Sequence, residues 1–398
     1  MTPEFHRIKR LPPYVFEEVN RFKASLRAAG RDIIDFGMGN PDMPTPKHIT
    51  DKLIETAQKP KTNRYSASRG IPGLRRAMAA YYDRRFGVNI DPETEVVATL
   101  GSKEGFANLA QAITAPGDVV IAPNPAYPIH AYGFIIAGGV VRHVEALSPE
   151  QYLSKISSAA RHSVPAPIAM VLNYPSNPTA QTVGLDFYKD AVALARKHDM
   201  LILSDLAYAD IYFGDPPPSV FQVEGAKEIA VETQSLSKTY AMPGWRVGFL
   251  AGNARIVAAL SRVKSYLDYG AFTPIQVAAS AALNGPQDCV EEIRGVYRSR
   301  RDVLVKAMGQ AGWEIPTPDA SMFAWAPVPQ PFREAGSIAF AKLLMEHADV
   351  AVAPGVGFGE HGEGYVRIGL VENEQRIRQA ARNVRKFMDQ GASLLAAE

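Results

Sequence analysis

Cysteine is almost absent from this chain. Cys289 is the only one in 398 residues. Neither an intrachain disulfide nor a cysteine zinc cluster can staple such a chain, and a reducing, cytoplasmic setting is expected. Charge of one sign is lacking too: 43 basic residues against 41 acidic ones leave a net charge of +2. With no long run of either sign, nothing points to a nucleic-acid or membrane-surface partner. Long apolar runs are also missing. The longest, Tyr132–Val141, is too short to span a bilayer. Met1–Arg10 carries four basic side chains with no apolar run behind them, unlike a signal peptide. What remains is 46% hydrophobic and 21% charged, the composition of a globular protein with room for two domains.

Periodicity then assigns elements. Residues 14–29 carry Val15, Val19, Phe22 and Leu26 on one helical face. From residue 96 onward, apolar runs alternate with helical patterns. Strands are expected at 96–100, 119–122, 140–144, 168–172, 201–204, 229–235 and 247–251, with helices between several of them. Strands apolar throughout, alternating with helices, mean an α/β fold whose mostly parallel sheet is covered on both faces. The C-terminal third reads differently. Helical patterns near 288–311, 337–347 and from 373 flank apolar runs at 322–325, 350–353 and 365–369. These describe a smaller α+β domain, which the N-terminal segment is expected to join. The boundaries are 46–288 for the large domain and 1–45 with 289–398 for the small one.

Four strand ends in the large domain carry distinctive polar residues: Ser102 and Lys103, Asn173 and Asn177, Asp205 and Tyr208, and Ser235, Ser237 and Lys238. Each alone has a bland explanation. Asp205 can cap a helix, Asn177-Pro178 is an ordinary turn, and most lysines are solvated surface groups. Yet an open α/β sheet gathers the carboxyl ends of its parallel strands at one edge, where ligands bind. Gly101-Ser102 between a strand and a helix N-terminus is an anion site by geometry. Arg246 follows Lys238 by eight residues and adds a fork of donors.

The chemistry of that set matches one ligand. A lysine amine forms a Schiff base with an aldehyde. A carboxylate keeps a pyridine nitrogen protonated. Asn177 and Tyr208 can hydrogen-bond a phenolic oxygen, and Tyr127 can stack on a ring. Ser102, Lys103, Ser235, Ser237 and Arg246 can serve a phosphate. A molecule with an aldehyde, a phenolic oxygen, a ring nitrogen and a phosphate is pyridoxal 5′-phosphate. No metal is required.

The motifs Tyr65…Gly70…Gly73, Gly101-Ser-Lys, Pro125-Ala-Tyr127, Asn173-Tyr-Pro-Ser-Asn177-Pro-Thr, Asp205-Leu-Ala-Tyr208, Ser235-Leu-Ser-Lys238, Gly244-Trp-Arg246 and Tyr365-Val-Arg367-Ile-Gly span nearly the whole chain. Together they resemble the class I/II aminotransferases of fold type I. Pro12–Phe16, Gly37–Asp42 and Lys264–Gly270 are similar to the bacterial alanine (glutamate–pyruvate) transaminases, a group often labelled LL-diaminopimelate aminotransferases. The resemblance implies a transaminase that moves an amino group, in ping-pong fashion, between an L-amino acid and a 2-oxo acid. Alanine with 2-oxoglutarate is the favoured pair. Aspartate, methionine and LL-diaminopimelate are the alternatives, as is a C–S lyase on the same fold. Lys238 would bind the aldehyde and shuttle the proton, Asp205 would pair the ring nitrogen, and Arg367 would clamp the substrate carboxylate with help from Asn177 and the Gly39 backbone. Tyr65 would reach the phosphate in the other subunit of a homodimer. Tyr14, Glu17 and Asp268 are further candidates for the substrate end. The resemblance also implies cis peptide bonds at Asn124-Pro125 and Asn177-Pro178. Ala180 replaces the family's usual glycine after Asn177-Pro-Thr.

Overall fold

The computed structural model describes residues 5–12 and 15–394. A seven-stranded sheet forms its centre. Its strands lie in the order Val96–Thr99, Gly248–Gly252, Ala230–Ser235, Leu201–Asp205, Pro167–Asn173, Val119–Asn124 and Val140–Glu145. All run the same way except Gly248–Gly252, which is antiparallel to both of its neighbours. The inner strands are buried on both faces, as an apolar run such as Met170–Leu172 requires. One apolar core, including Tyr82, Tyr188 and Phe249, covers one face. A second, including Phe106, Phe134 and Leu250, covers the other.

Most elements agree with the sequence within a residue or two. Among the described residues, three helices of more than two turns have no counterpart in the periodicity analysis: Lys47–Ala57, Pro149–Arg161 and Thr273–Asn284. The last explains itself. Its composition, Thr-Pro-Ile-Gln-Val-Ala-Ala-Ser-Ala-Ala-Leu-Asn, holds no charged residue, and Gln276 in its polar row is itself buried, because the helix packs against Lys47–Ala57 and Pro72–Phe86. The apolar run at 350–353 also divides. Val350–Ala351 pairs in parallel with Ile34–Asp35. Ala353–Pro354 joins Tyr365–Gly369 and Phe323–Pro327 in a three-stranded antiparallel sheet. A separate apolar core built on Trp313, Phe340 and Ile368 lies against that sheet. Among the described residues, no helix is long and apolar enough to cross a membrane.

One carboxyl group is sealed inside the large core. Glu232 is fully buried and accepts hydrogen bonds from Tyr82 Oη and Ser219 Oγ at 2.9 Å, and from Ser204 Oγ and the Val220 amide at 3.2 Å. Burial pushes it up to about 7, and the four donors only partly oppose that. The folded state therefore holds this proton more tightly than the unfolded chain does. The stability this contributes is complete below the ordinary carboxylate range and is lost as pH rises through about 7. Glu232→Gln keeps an acceptor for Val220 and removes the charge. Its melting temperature should match wild type near pH ~4 and exceed it by several degrees at pH ~8, a difference on the order of 3 kcal/mol. A gap independent of pH would count against the buried charge.

Candidate active site

The strand directions bring the polar turns together. Thr99, Ser235, Asp205, Asn173 and Asn124 end their strands at one edge of the sheet. Arg246 belongs to the same edge for the opposite reason. It precedes the single antiparallel strand, so the amino end of Gly248–Gly252 meets the carboxyl ends of its neighbours. A cavity of about 420 Å³ opens there, between the large sheet and the three-stranded one.

Lys238 points into this cavity. It lies on a single helical turn, Leu236–Thr239, rather than in a plain loop. Ser235 caps that turn by accepting from the Ser237 amide at 3.3 Å. The Lys238 amine donates to the Gly39 carbonyl at 2.8 Å. Burial, then the charges of Arg367 and Arg246, push the amine down to about 7, so near neutrality a large fraction is unprotonated and nucleophilic.

Asp205 is held on both oxygens. Oδ2 lies 2.8 Å from His130 Nε2, while Oδ1 accepts from Thr233 Oγ1 at 3.1 Å and from the Ala207 amide at 3.2 Å. His130 is fully buried on the helix Ile129–Ala137. It is the main functional residue that the sequence analysis missed. A lone histidine on a helix otherwise free of ionisable groups other than tyrosine was its only signal. Asn173 carries the neighbouring turn: Nδ2 donates to the Asp205 carbonyl at 2.9 Å, and Oδ1 accepts from the Asn177 amide at 3.0 Å. The Asn124-Pro125 and Asn177-Pro178 bonds are both cis, as are Val164-Pro165 and Tyr174-Pro175. Ala180 adopts a φ of 58°, a left-handed conformation in which glycine would be unstrained. Burial, with smaller contributions from nearby phenols and Asp205, holds the Tyr208 hydroxyl well above the usual phenol range, so it remains a donor.

The far wall is an anion cup. Helix Ser102–Ile113 starts at the edge, with Gly101 before it at φ 83°. A side chain at Gly101 would displace the Arg246 guanidinium and strain a backbone already at positive φ. Arg246 donates to the carbonyls of Pro243 at 2.8 Å and Leu100 at 3.2 Å. Ser102, Lys103, Ser235 and Ser237 line the cavity beside it. The Lys103 ammonium stands 5.7 Å from the centre of the Tyr127 ring.

Arg367 closes the site from the three-stranded sheet. It is buried, donates to Asn177 Oδ1 at 2.8 Å and reaches the Gly37 carbonyl at 3.4 Å. Phe323 and Phe358 flank its guanidinium at 4.1 and 4.6 Å. A Cβ on Gly39 would strike the Phe323 ring at 2.8 Å. Helix Val15–Ala28 supplies Phe16, Val19, Asn20 and Lys23 to the wall, a contribution that its surface-like amphipathic pattern did not reveal.

Thus Ser102, Lys103, Tyr127, Asn177, Asp205, Tyr208, Ser235, Ser237, Lys238, Arg246, Gly39 and Arg367 all line one cavity. Tyr65 does not: it is 86% exposed and rests on Tyr269, ring centres 4.7 Å apart. Glu17 is on the surface, paired with Arg21 at 3.2 Å. Asp268 pairs with Lys264 at 2.8 Å and is absent from the cavity wall. Tyr14 lies outside the described residues.

Comparison with known proteins identifies the family. The family model described as aminotransferase class I and II matches residues 31–384. The chain is a class I/II aminotransferase. It is 66% identical to the putative aminotransferase AatC of Rhizobium meliloti, covering 97% of this chain and 95% of that one. It is 52% identical to the glutamate–pyruvate aminotransferase AlaC of Escherichia coli, over 99% and 95% of the two chains. The substrate-bound BacF structure from Bacillus subtilis superposes with a TM-score of 0.91 at 34% identity, covering 97% and 98%. The aminotransferase depends on pyridoxal phosphate and moves an amino group between an amino acid and a 2-oxo acid. Its donor set fits that cofactor: one depressed amine for an aldehyde, one carboxylate held by three partners, and a helix N-terminus beside an arginine for a phosphate.

Proposed function

We propose that this aminotransferase exchanges the amino group of alanine with 2-oxoglutarate. The observation that carries the reading is the 52% identity to the glutamate–pyruvate enzyme over nearly the whole chain. The apolar walls beside Arg367, from Phe323 and Phe358, suit a small side chain. When bound, pyridoxal phosphate supplies an aldehyde that accepts the amino group and a ring that draws off the electrons left at Cα. The chain's own residues do the rest. Lys238 would move the proton from Cα to C4′. Asp205, backed by His130 and Thr233, would keep the ring nitrogen protonated. Asn177 and Tyr208 would serve the phenolic oxygen, and Tyr127 would cover the ring. Ser102, the Lys103 backbone, Ser235, Ser237 and Arg246 would hold the phosphate. Arg367 grips the substrate carboxylate through two parallel hydrogen bonds, assisted by Asn177 and the Gly39 backbone.

The active unit in this reading is a homodimer in the cytoplasm, with Tyr65 given to the phosphate of the other subunit. The 86% exposure of Tyr65 and the exposed Tyr266, Leu267, Tyr269 and Phe272 around it support that surface as the interface. The division at 46–288 against 1–45 and 289–398 belongs to the same reading, supported by the separate apolar cores of the two sheets. The test is a half-reaction panel. The yellow holoenzyme is mixed with single amino acids and its visible band followed. Alanine and glutamate should bleach it fastest. Bleaching by LL-diaminopimelate or aspartate in preference to alanine would overturn the substrate assignment. Pyruvate and ammonia released from a cysteine conjugate, with no 2-oxo acid present, would indicate a lyase instead.

A further inference from the structure

The segment Lys264-Ser-Tyr-Leu-Asp268-Tyr-Gly270 stands outside the cavity, yet it contains a fully buried lysine that the chemistry above does not use. The Lys264 ammonium lies between two carboxylates, 2.8 Å from Asp268 Oδ2 and 3.1 Å from Glu104 Oε1. Removing such a charge from water is costly, and the two carboxylates offset that cost.

Each carboxylate leads to a different part of the phosphate grip. Glu104 lies in the first turn of helix Ser102–Ile113. Its other oxygen accepts from the Leu100 amide at 2.7 Å, and the Leu100 carbonyl accepts from Arg246 at 3.2 Å. Lys264 thereby fixes, through Glu104, the turn that faces the phosphate and the backbone that aims Arg246. Asp268 leads the other way. Its Oδ1 accepts from the Gly270 amide at 2.7 Å. Gly270 has φ 77°, and a Cβ there would lie 2.4 Å from the Ala67 carbonyl, so this backbone is pressed against the loop that carries Tyr65. Tyr269, between the two, packs against Tyr65 itself, its ring tilted by 34°.

We propose that Lys264 is a positioning residue for phosphate binding. It locks the anion-facing helix turn and the Tyr65 loop into one rigid unit through Glu104 and Asp268. The proposal rests on the pyridoxal-phosphate reading of the site and adds a requirement to it: losing Lys264 must weaken the hold on the phosphate group in particular.

The test compares two ligands on the full-length cofactor-free chain: pyridoxal phosphate, and pyridoxal, which lacks the phosphate. Affinities are read by absorbance titration for wild type, Lys264→Met and Asp268→Asn, with thermal melts as a check on folding. Lys264→Met should weaken pyridoxal phosphate binding by about tenfold or more while leaving pyridoxal binding unchanged. Asp268→Asn keeps an acceptor for Gly270 and should show the same phosphate-specific loss, about threefold. It carries the test if Lys264→Met does not fold. Equal losses for both ligands, or unchanged pyridoxal phosphate affinity in a folded variant, would overturn the proposal. Failure of wild type to bind pyridoxal phosphate would instead overturn the cofactor reading.

Discussion

Lys238→Ala should reduce transamination on the order of 10⁴-fold, the upper range for removing a general acid–base group. Two losses combine. The amine that meets the cofactor aldehyde is gone, and so is the group that carries the proton from Cα. The fold should survive, because Lys238 makes one side-chain hydrogen bond, to the Gly39 carbonyl at 2.8 Å. The neighbouring contacts of the turn come from Ser235 and from Thr239, whose hydroxyl donates to Asp210 at 3.0 Å. Turnover within about tenfold of wild type would remove Lys238 from the chemistry. The depressed amine adds a pH arm. In the cofactor-free chain, labelling of Lys238 by an aldehyde and borohydride, read by mass spectrometry, should rise through pH about 7. An ordinary lysine would rise near pH ~10.

Asp205→Ala should lower the rate by about 10²- to 10⁴-fold while the cofactor stays bound. Eight groups besides Asp205 remain for the phosphate and the ring, namely Ser102, Lys103, Tyr127, Asn177, Tyr208, Ser235, Ser237 and Arg246, so absorbance after dialysis should still show the bound chromophore. The missing element is the carboxylate beside the ring nitrogen. Asp205→Asn separates charge from shape. It can still accept from Thr233 and Ala207, which now lie 3.1 and 3.2 Å from Oδ1. It should be nearly as slow as the alanine variant if the charge is what matters. A rate near wild type for Asp205→Asn would leave Asp205 as a structural hydrogen-bond acceptor only.

The readable parts of this protein are those written in neighbouring residues. An apolar strand that ends in Gly101-Ser102, or in Asp205-Leu-Ala-Tyr208, carries its own meaning, because period and turn chemistry act over a few positions. Lys238 and Asp205 stood out for the same reason, since few residue types can bind an aldehyde or pair with a ring nitrogen, whereas Arg367 was singled out by the family resemblance; all three line one cavity. The helix Thr273–Asn284 was not legible, since it carries no charged residue to mark a solvent face and its Gln276 is buried.

Other features depended on which strands became neighbours. His130 meets Asp205 across 75 positions of chain, and Arg367 meets Asn177 across 190. The antiparallel setting of Gly248–Gly252 put Arg246 at the cofactor edge. The same packing drew Lys264 between Glu104 and Asp268 and sent Asp268 away from the substrate end. The sequence by itself determined the α/β class and the cofactor, and it singled out Lys238 as the candidate amine, because local periodicity and side-chain chemistry specify them. Only the tertiary structure decided which groups support those residues and from which direction. Strand order, register and helix packing are set by contacts between segments far apart in the chain, and no local pattern records them.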